Sequence, residues 1–550
     1  MANALTAIQQ KLQQVGEAGR AAKRLVDTGI LDLKDLPGTL STAKLVPVYG
    51  PQATMAIQGA RRYATLPAIV DERGTLTYGE VNDQSWALAR GLQSLGVAEG
   101  SVVGVLCRDH RGLAITMAAC GKVGARMVLM NTGFAKPQFA EVCEREKVTV
   151  VLHDSEFVGL LDALPPELPR VLTWVDEGAE LPEGAHTLDE IVASHSSGPL
   201  PPPSKAGGSV ILTSGTTGMP KGAPRETVSP LATAQIVDRI PFPRKGTMVI
   251  VSPIFHSTGW ATYTTGAAFG NKIVTARRFN AEGTLKLVAE HRAEMLVAVP
   301  TMLHRMVELG PEVLAKYDTS SLRVLLVAGS ALSPELCARV QDAFGDVLYN
   351  MYGSTECAIA TVAQPHELRA APGTAGRAPV TCEVVLYDEN DQRVKGANRR
   401  GRIFIRNGAP FQGYTDGRTK QIIDGFMSSG DMGHFDENGL LFVDGRDDDM
   451  IVSGGENVFP QEVEQLLEQR ADVSEVAVVG VDDVEFGKRL RAFVVPEPGA
   501  TQDAEEIKKY VKENLARHKV PRDVVFIDEL PRNTTGKLLR RVLVEMDVDG

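Results

Sequence analysis

Residues Val210-Ile211-Leu212-Thr213-Ser214-Gly215-Thr216-Thr217-Gly218-Met219-Pro220-Lys221-Gly222 read as a short apolar strand that runs straight into a loop of glycines, hydroxyls and one lysine. Glycines let backbone N–H groups turn toward an anion, Ser and Thr add donors, and the lysine adds charge, so this loop is built to touch phosphate. It is not a Walker loop, which requires Gly immediately before the Lys and Ser or Thr after it; Pro220 and Gly222 stand in those places.

The text on either side alternates strands and helices. Ala68 to Tyr78 reads as a hairpin around Glu72-Arg73-Gly74, followed by a helical stretch to Leu95 and the apolar strand Val102 to Cys107; another strand, Val148 to His153, follows a further helical segment. Strands separated by helices imply parallel sheets covered on both faces, an α/β fold. The Pro-rich piece from Gly198 to Pro203 reads as a surface linker just before the loop. Toward the end, Val463, Leu466 and Leu467 mark a helix opened by Pro460, Val476 to Val481 and Leu490 to Val495 mark strands, Ile507, Tyr510 and Val511 a second helix, and Val524 to Ile527 a last strand. The expected organisation is an N-terminal helical extension at 1–60, a large N-terminal α/β domain at 61–446, and a small, mobile α+β C-terminal domain at 447–550.

A formal net charge of -11 argues against a nucleic-acid scaffold, since phosphate backbones are bound by clustered Lys and Arg. Six cysteines without paired C-x-x-C spacing exclude a zinc or dithiol site and fit a reduced cytosol. No signal peptide is visible, and the long uncharged run from Gly246 to Asn271 holds Pro253 and His256 and reads as buried core, not as a membrane span. Leu5, Ile8, Leu12 and Val15 recur at helical spacing beside Lys11, Arg20, Lys23 and Arg24, giving a basic amphipathic helix. Packing on its own domain is the favoured reading of that helix, and peripheral contact with a membrane the alternative. The expected location is the cytoplasm.

The loop does not stand alone. Tyr352-Gly353-Ser354-Thr355-Glu356, Ser429-Gly430-Asp431, Gly445-Arg446-Asp447-Asp448-Asp449, Ser453-Gly454-Gly455-Glu456-Asn457 and Pro531-Arg532-Asn533-Thr534-Thr535-Gly536-Lys537 follow it in order. With these motifs the chain resembles the adenylate-forming acyl-CoA synthetases, a group shared with firefly luciferase and peptide-synthetase adenylation domains, from about Tyr63 to Arg541.

The resemblance implies the following roles. Thr213 to Gly218 and Lys221 cradle phosphate; Tyr352 stacks on adenine, while Gly329, Ser330 and Ala331 line the base pocket with Asn350, Met351, Gly353 and Ser354. Thr355 meets the α-phosphate, and Glu356 holds Mg²⁺, a hard cation that prefers carboxylate and phosphate oxygens. Asp431 accepts from the ribose hydroxyls and Arg446 donates to the same sugar. Lys537 offsets the negative charge that builds as the substrate carboxylate attacks the α-phosphorus. Asp448 is the hinge of the small domain, and Gly454 and Gly455 line the pantetheine tunnel in a second orientation.

Pro253 to Trp260 matches the acyl-site segment, with His256 and Gly259 lining the pocket; Trp260 is read either as an aromatic gate or as a core tryptophan. Amino-acid-activating relatives place an aspartate where His256 stands, which argues against an amino acid. Two departures occur, Ala223-Pro224-Arg225-Glu226-Thr227 where many relatives continue toward a histidine, and Gly329-Ser330-Ala331-Leu332 in place of Gly-Gly-Ala-Pro; both are read as lying outside the catalytic chemistry. The implied reaction joins a carboxylic acid, ATP and coenzyme A to give acyl-CoA, AMP and pyrophosphate, with a medium- to long-chain fatty acid preferred and aryl acids, or an acceptor other than CoA, as alternatives. No nucleic-acid partner is expected; a homodimer is compatible with the resemblance.

Overall fold

The computed structural model describes residues 16–546, apart from 183, 214–219, 226–229, 409–410, 448–450, 454–455, 484–486 and 534–535. The expected phosphate-loop residues Ser214, Gly215, Thr216, Thr217 and Gly218, the hinge Asp448 and the tunnel glycines Gly454 and Gly455 therefore lie outside the described residues, as do Leu5, Ile8, Leu12 and Val15.

Val324–Ala328 is apolar at every position and buried throughout, the signature of a parallel strand covered on both faces. It sits inside an eight-stranded sheet whose order is Ala358–Ala363, Leu348–Ser354, Val324–Ala328, Met295–Ala298, Thr247–Ile250, Lys272–Thr275, Pro67–Asp71, Gly74–Thr77. Its central pairs are parallel, while the hairpin of Pro67–Asp71 with Gly74–Thr77 and the edge strand Ala358–Ala363 are antiparallel. A second, seven-stranded sheet runs His186–Thr187, Arg170–Trp174, Val150–Asp154, Val102–Leu106, Arg126–Leu129, Ser209–Thr213, Lys221–Arg225. It is parallel except for its last pair. Helices Tyr78–Ser94 and Arg111–Val123 bury their apolar faces in one core shared with both sheets, where Leu88, Leu113, Val105 and Val297 are fully enclosed. The α/β class read from the alternating elements is the observed one.

A third sheet, of antiparallel strands, follows: Glu383–Tyr387, Gly401–Arg406, Phe426–Phe435 and Ile422–Ile423, with Leu441–Arg446 also paired to Phe426–Phe435. The last sheet is built on the long hairpin Val473–Asp483 with Gly487–Pro496, flanked by Ile451–Ser453, Glu456–Val458 and the parallel strand Asp523–Phe526. Helices Pro460–Leu467 and Ala504–Asn514 close over it around a core of Val463, Leu467, Val478, Ile507 and Val511.

Helix Leu36–Tyr63 runs across residue 60 and kinks at Gly50, between Pro47 and Pro51, where the missing amides break the hydrogen-bond ladder. Its second half is pinned to helix Ser257–Ala268 by Gln52 Nε2 donating to Thr264 Oγ1 at 3.1 Å. Before it, residues 16–27 are helical; Ala21 and Leu25 are buried and Arg24 pairs with Asp238 at 2.9 Å, so the described part of the basic helix packs on its own protein. No helix of the described residues is long and apolar enough to cross a membrane. All six cysteines are buried and unpaired.

Helix Arg111–Val123 meets helix Leu36–Tyr63 at Gly121, where an added Cβ would lie 2.4 Å from the Tyr49 carbonyl oxygen and 2.7 Å from Ala53 Cβ. Overpacking of this kind costs about 1–3 kcal/mol. Gly121→Ala is thus expected to lower the thermal unfolding midpoint, followed by circular dichroism; an unchanged midpoint would show that the two helices separate freely.

Candidate active site

The carboxyl ends of parallel strands from both large sheets face one continuous cavity of about 2330 Å³, the place where open α/β sheets bind ligands. Thr213 ends a strand of the second sheet; Ser252, Val299, Ala328, Gly329, Asn350 and Met351 stand at strand ends of the first. The wall is completed by Asp431 and Arg446 from the third sheet and by Arg532 and Lys537 from the last segment.

The strand Leu348–Ser354 returns as Ala358–Ala363 through Thr355, Glu356 and Cys357. Gly353 is required at the bulge, because a Cβ there would lie 1.9 Å from the Ala358 carbonyl oxygen. This return aims consecutive side chains at different partners. Tyr352 donates its hydroxyl to Asp431 Oδ2 at 2.5 Å, and Arg446, opposite Asp431 in the neighbouring strand, reaches Oδ1 at 3.3 Å. Burial pushes the Asp431 carboxyl up against the pull of Arg446 and Tyr352. Asn350 is fixed by donating to the Thr374 carbonyl at 3.1 Å. Thr355 Oγ1 lies 3.5 Å from Ser257 Oγ at the start of helix Ser257–Ala268. Glu356 accepts from the Tyr414 hydroxyl; burial raises its carboxyl, but Tyr414, Ser354 and Lys420 outweigh that and hold it below the usual value.

Lys221 is paired with Thr213 across the hairpin that carries the loop, and its Nζ sits 5.3 Å from the centre of the Tyr414 ring. Ser330 and Ala331 line the same cavity. At the far end of the chain, Gly536 packs directly on Thr301 of helix Pro300–Val307, the Lys537 amide donates to Asn533 Oδ1 at 2.8 Å, and Arg532 pairs with Glu475 at 2.6 Å. Lys537 is thereby brought to the cavity that holds Tyr352 and Thr355.

On the acyl side, His256 caps the approach to helix Ser257–Ala268, its ring 4.4 Å from that of Phe255. Its Nε2 is fully covered and has no partner among the described residues, and burial pulls its pKa down to about 3. Trp260 lines the cavity and also packs, partly buried, on the shared core, so both sequence readings have a counterpart in its position. Gly259, expected to line the pocket, is instead buried against the Pro253 and Ile254 backbone, where no Cβ fits.

Four contributors escaped the sequence reading. Thr301 faces Gly536, and Tyr414 faces Glu356. Asp109, buried after strand Val102–Leu106, accepts from the Ile254 amide at 3.0 Å and so fixes the segment leading to His256; burial raises its pKa to about 7. A charged triplet, Arg108-Asp109-His110, at the end of an apolar strand was its only signal. Arg225, read as outside the chemistry, touches the turn that carries the candidate site: its guanidinium donates to the Thr355 carbonyl.

An AMP-binding enzyme model matches residues 57–415, and the model for the AMP-binding enzyme C-terminal domain matches 462–537. The chain belongs to the AMP-binding enzyme family. It is similar to an indoleacetate–CoA ligase of Aromatoleum aromaticum, 34% identical over 84% of this chain and 91% of the relative. It is also similar to a long-chain-fatty-acid–CoA ligase of Mycobacterium tuberculosis, 29% identical over 86% and 93%. Among solved structures, the o-succinylbenzoate CoA synthetase of Bacillus subtilis, in complex with an acyl-adenylate intermediate, superposes with a TM-score of 0.77 at 25% identity, covering 90% of this chain and 98% of that one. Two large sheets followed by a smaller C-terminal unit are the shared fold. Acid–CoA ligases of this family form an adenylate, and ATP, Mg²⁺ and CoA are what they consume or require.

Because the folded protein keeps His256 neutral down to about pH 3 while an unfolded histidine titrates near 6.5, the unfolded state binds the extra proton in between. Folding stability from this residue is thus present above about pH 6.5 and lost as the pH falls below it. His256→Gln is expected to flatten the fall in urea-unfolding stability between pH 6.5 and 5; an unchanged slope would mean that the imidazole is already charged in the fold.

Proposed function

We propose that the chain joins a carboxylic acid with a bulky, apolar body to CoA through an acyl-adenylate, a medium- to long-chain fatty acid being the first reading. The supporting observation is the acyl-side wall, where Met55, Ala232, Ile236, Trp260 and Ala261 give an apolar surface. Each methylene buried there contributes about 0.8 kcal/mol, so such a wall favours long over short acids. The second reading, an aryl or arylacetic acid, draws on the 34% identity with the indoleacetate–CoA ligase.

In the proposed first step the acid's carboxylate oxygen attacks the α-phosphorus of ATP, the bond to the bridging oxygen breaks, and pyrophosphate leaves. Tyr352 presents a ring to the adenine while its hydroxyl, with Arg446, holds Asp431 toward the ribose. Thr355 is steadied beside Ser257 to face the α-phosphate, and Lys537 offsets the charge that builds there. Glu356, ionised and oriented by Tyr414, suits Mg²⁺, which binds through one or two carboxylates plus substrate phosphates. Bound there, the ion would neutralise phosphate charge. In the second step the CoA thiol displaces AMP from the acyl carbon. The division near residue 447, with rotation of the C-terminal part between the steps, belongs to the same proposal.

The deciding assay is pyrophosphate release over acetate, octanoate, palmitate, benzoate and indole-3-acetate, with and without CoA. Octanoate or palmitate should exceed acetate clearly. A preference for indole-3-acetate or benzoate would establish the second reading, and acid-independent release would contradict both.

A further inference from the structure

Lys221–Arg225 is the edge strand of the seven-stranded sheet, which is why Pro224, having no amide hydrogen to give, is tolerated in it. Side chains of a strand alternate, so Lys221, Ala223 and Arg225 share one face. Lys221 lies beside Tyr414, while Arg225 reaches the other flank of the catalytic turn, its Nη2 donating to the Thr355 carbonyl and lying 3.5 Å from that of Glu356. Both acceptors are neutral amide oxygens. Among the described residues no carboxylate forms an ion pair with Arg225, although it is only partly exposed; the Glu356 carboxylate acts on it without reaching ion-pair distance. A partly desolvated guanidinium with no carboxylate in direct contact is costly, which marks a place where an anion can bind.

The same wall of the cavity holds His256, Ser257 and Thr355. Most carboxylic acids enter as anions near neutral pH. His256 stays neutral and cannot balance that charge, the Glu356 carboxylate opposes it, and Lys537 and Lys221, which line the same cavity, are assigned above to the phosphates. We propose that Arg225 is the counter-charge of the substrate carboxylate, a specificity-determining contact that admits acids as carboxylates and holds them beside Thr355 before attack. The inference rests on the acid-activating reading above. Once the acyl group is esterified to phosphate its carboxylate charge is gone, so Arg225 is expected to matter for acid binding and adenylation but not for thiolation.

The test is ATP–pyrophosphate exchange by the wild type, Arg225→Lys and Arg225→Met, with octanoate and indole-3-acetate as probe acids, together with thiolation of preformed octanoyl-AMP. Loss of one charge-assisted hydrogen bond should raise the KM for either acid about ten- to a hundredfold in Arg225→Met, with partial rescue in Arg225→Lys. The KM for MgATP should rise by much less than the KM for the acid, since Arg225 reaches the turn only through backbone carbonyls. Octanoyl-AMP thiolation should be unchanged, which also shows that the variant is folded. A raised KM for MgATP with an unaltered acid KM would overturn the inference and make Arg225 a positioning residue for the turn. Slowed thiolation would overturn it as well. Absence of acid-dependent exchange in the wild type would instead bring down the functional reading, and this inference with it.

Discussion

The return of strand Leu348–Ser354 into Ala358–Ala363 is the constraint on which the site depends. Backbone approaches backbone so closely at Gly353 that no side chain fits, and the chain must turn within Thr355, Glu356 and Cys357. Residues on and beside that turn are held from different parts of the fold: Tyr352 by Asp431 of the third sheet, the Thr355 carbonyl by Arg225 of the second, Thr355 Oγ1 near Ser257 of helix Ser257–Ala268, and Glu356 by Tyr414. The groups proposed to meet nucleotide, metal and acid are thus fixed relative to one another within the fold. Preorganisation of this kind is the largest single contribution to catalysis in many enzymes.

Charge is distributed around the turn with a division of labour. Asp431 and Glu356 supply negative charge where ribose hydroxyls and a cation are proposed to bind, and Arg446 and Tyr414 keep them oriented. Arg225, Lys221 and Lys537 supply positive charge on the sides where carboxylate and phosphate would meet. His256, stripped of water, stays neutral and acts as part of an apolar wall.

Much of the architecture was legible in the sequence. The apolar strand Val102–Leu106, the hairpin around Glu72-Arg73-Gly74 and the strands flanking the C-terminal helices each follow from a local period and a local turn. The gathering of Tyr352, Thr355, Glu356, Asp431, Arg446 and Lys537 at one cavity was legible only through ordered motifs, since nothing local in Asp431 or Lys537 distinguishes it from a solvated surface charge. What periodicity could not supply were partners distant in the chain. Arg225 meets a carbonyl 130 residues away, and Asp109 meets an amide 145 residues away. In sequence Asp109 is one of a charged triplet after an apolar strand and Arg225 the last residue of a short strand opened by Lys221, and their partners emerge only when two sheets lie against one cavity. A helical extension was expected over residues 1–60, but not the bend at Gly50 between Pro47 and Pro51 in helix Leu36–Tyr63, whose second half brings Met55 to the cavity.

The central claim is that one cavity joins acid to nucleotide with Lys537 serving that step alone. It is tested most directly by comparing both half-reactions in Lys537→Ala. The account predicts that acid-dependent ATP–pyrophosphate exchange falls on the order of a hundredfold or more, as for deletion of one preorganised electrostatic donor, while conversion of synthetic acyl-AMP and CoA to acyl-CoA proceeds near the wild-type rate. An equal loss in both half-reactions, with the fold intact, would contradict it.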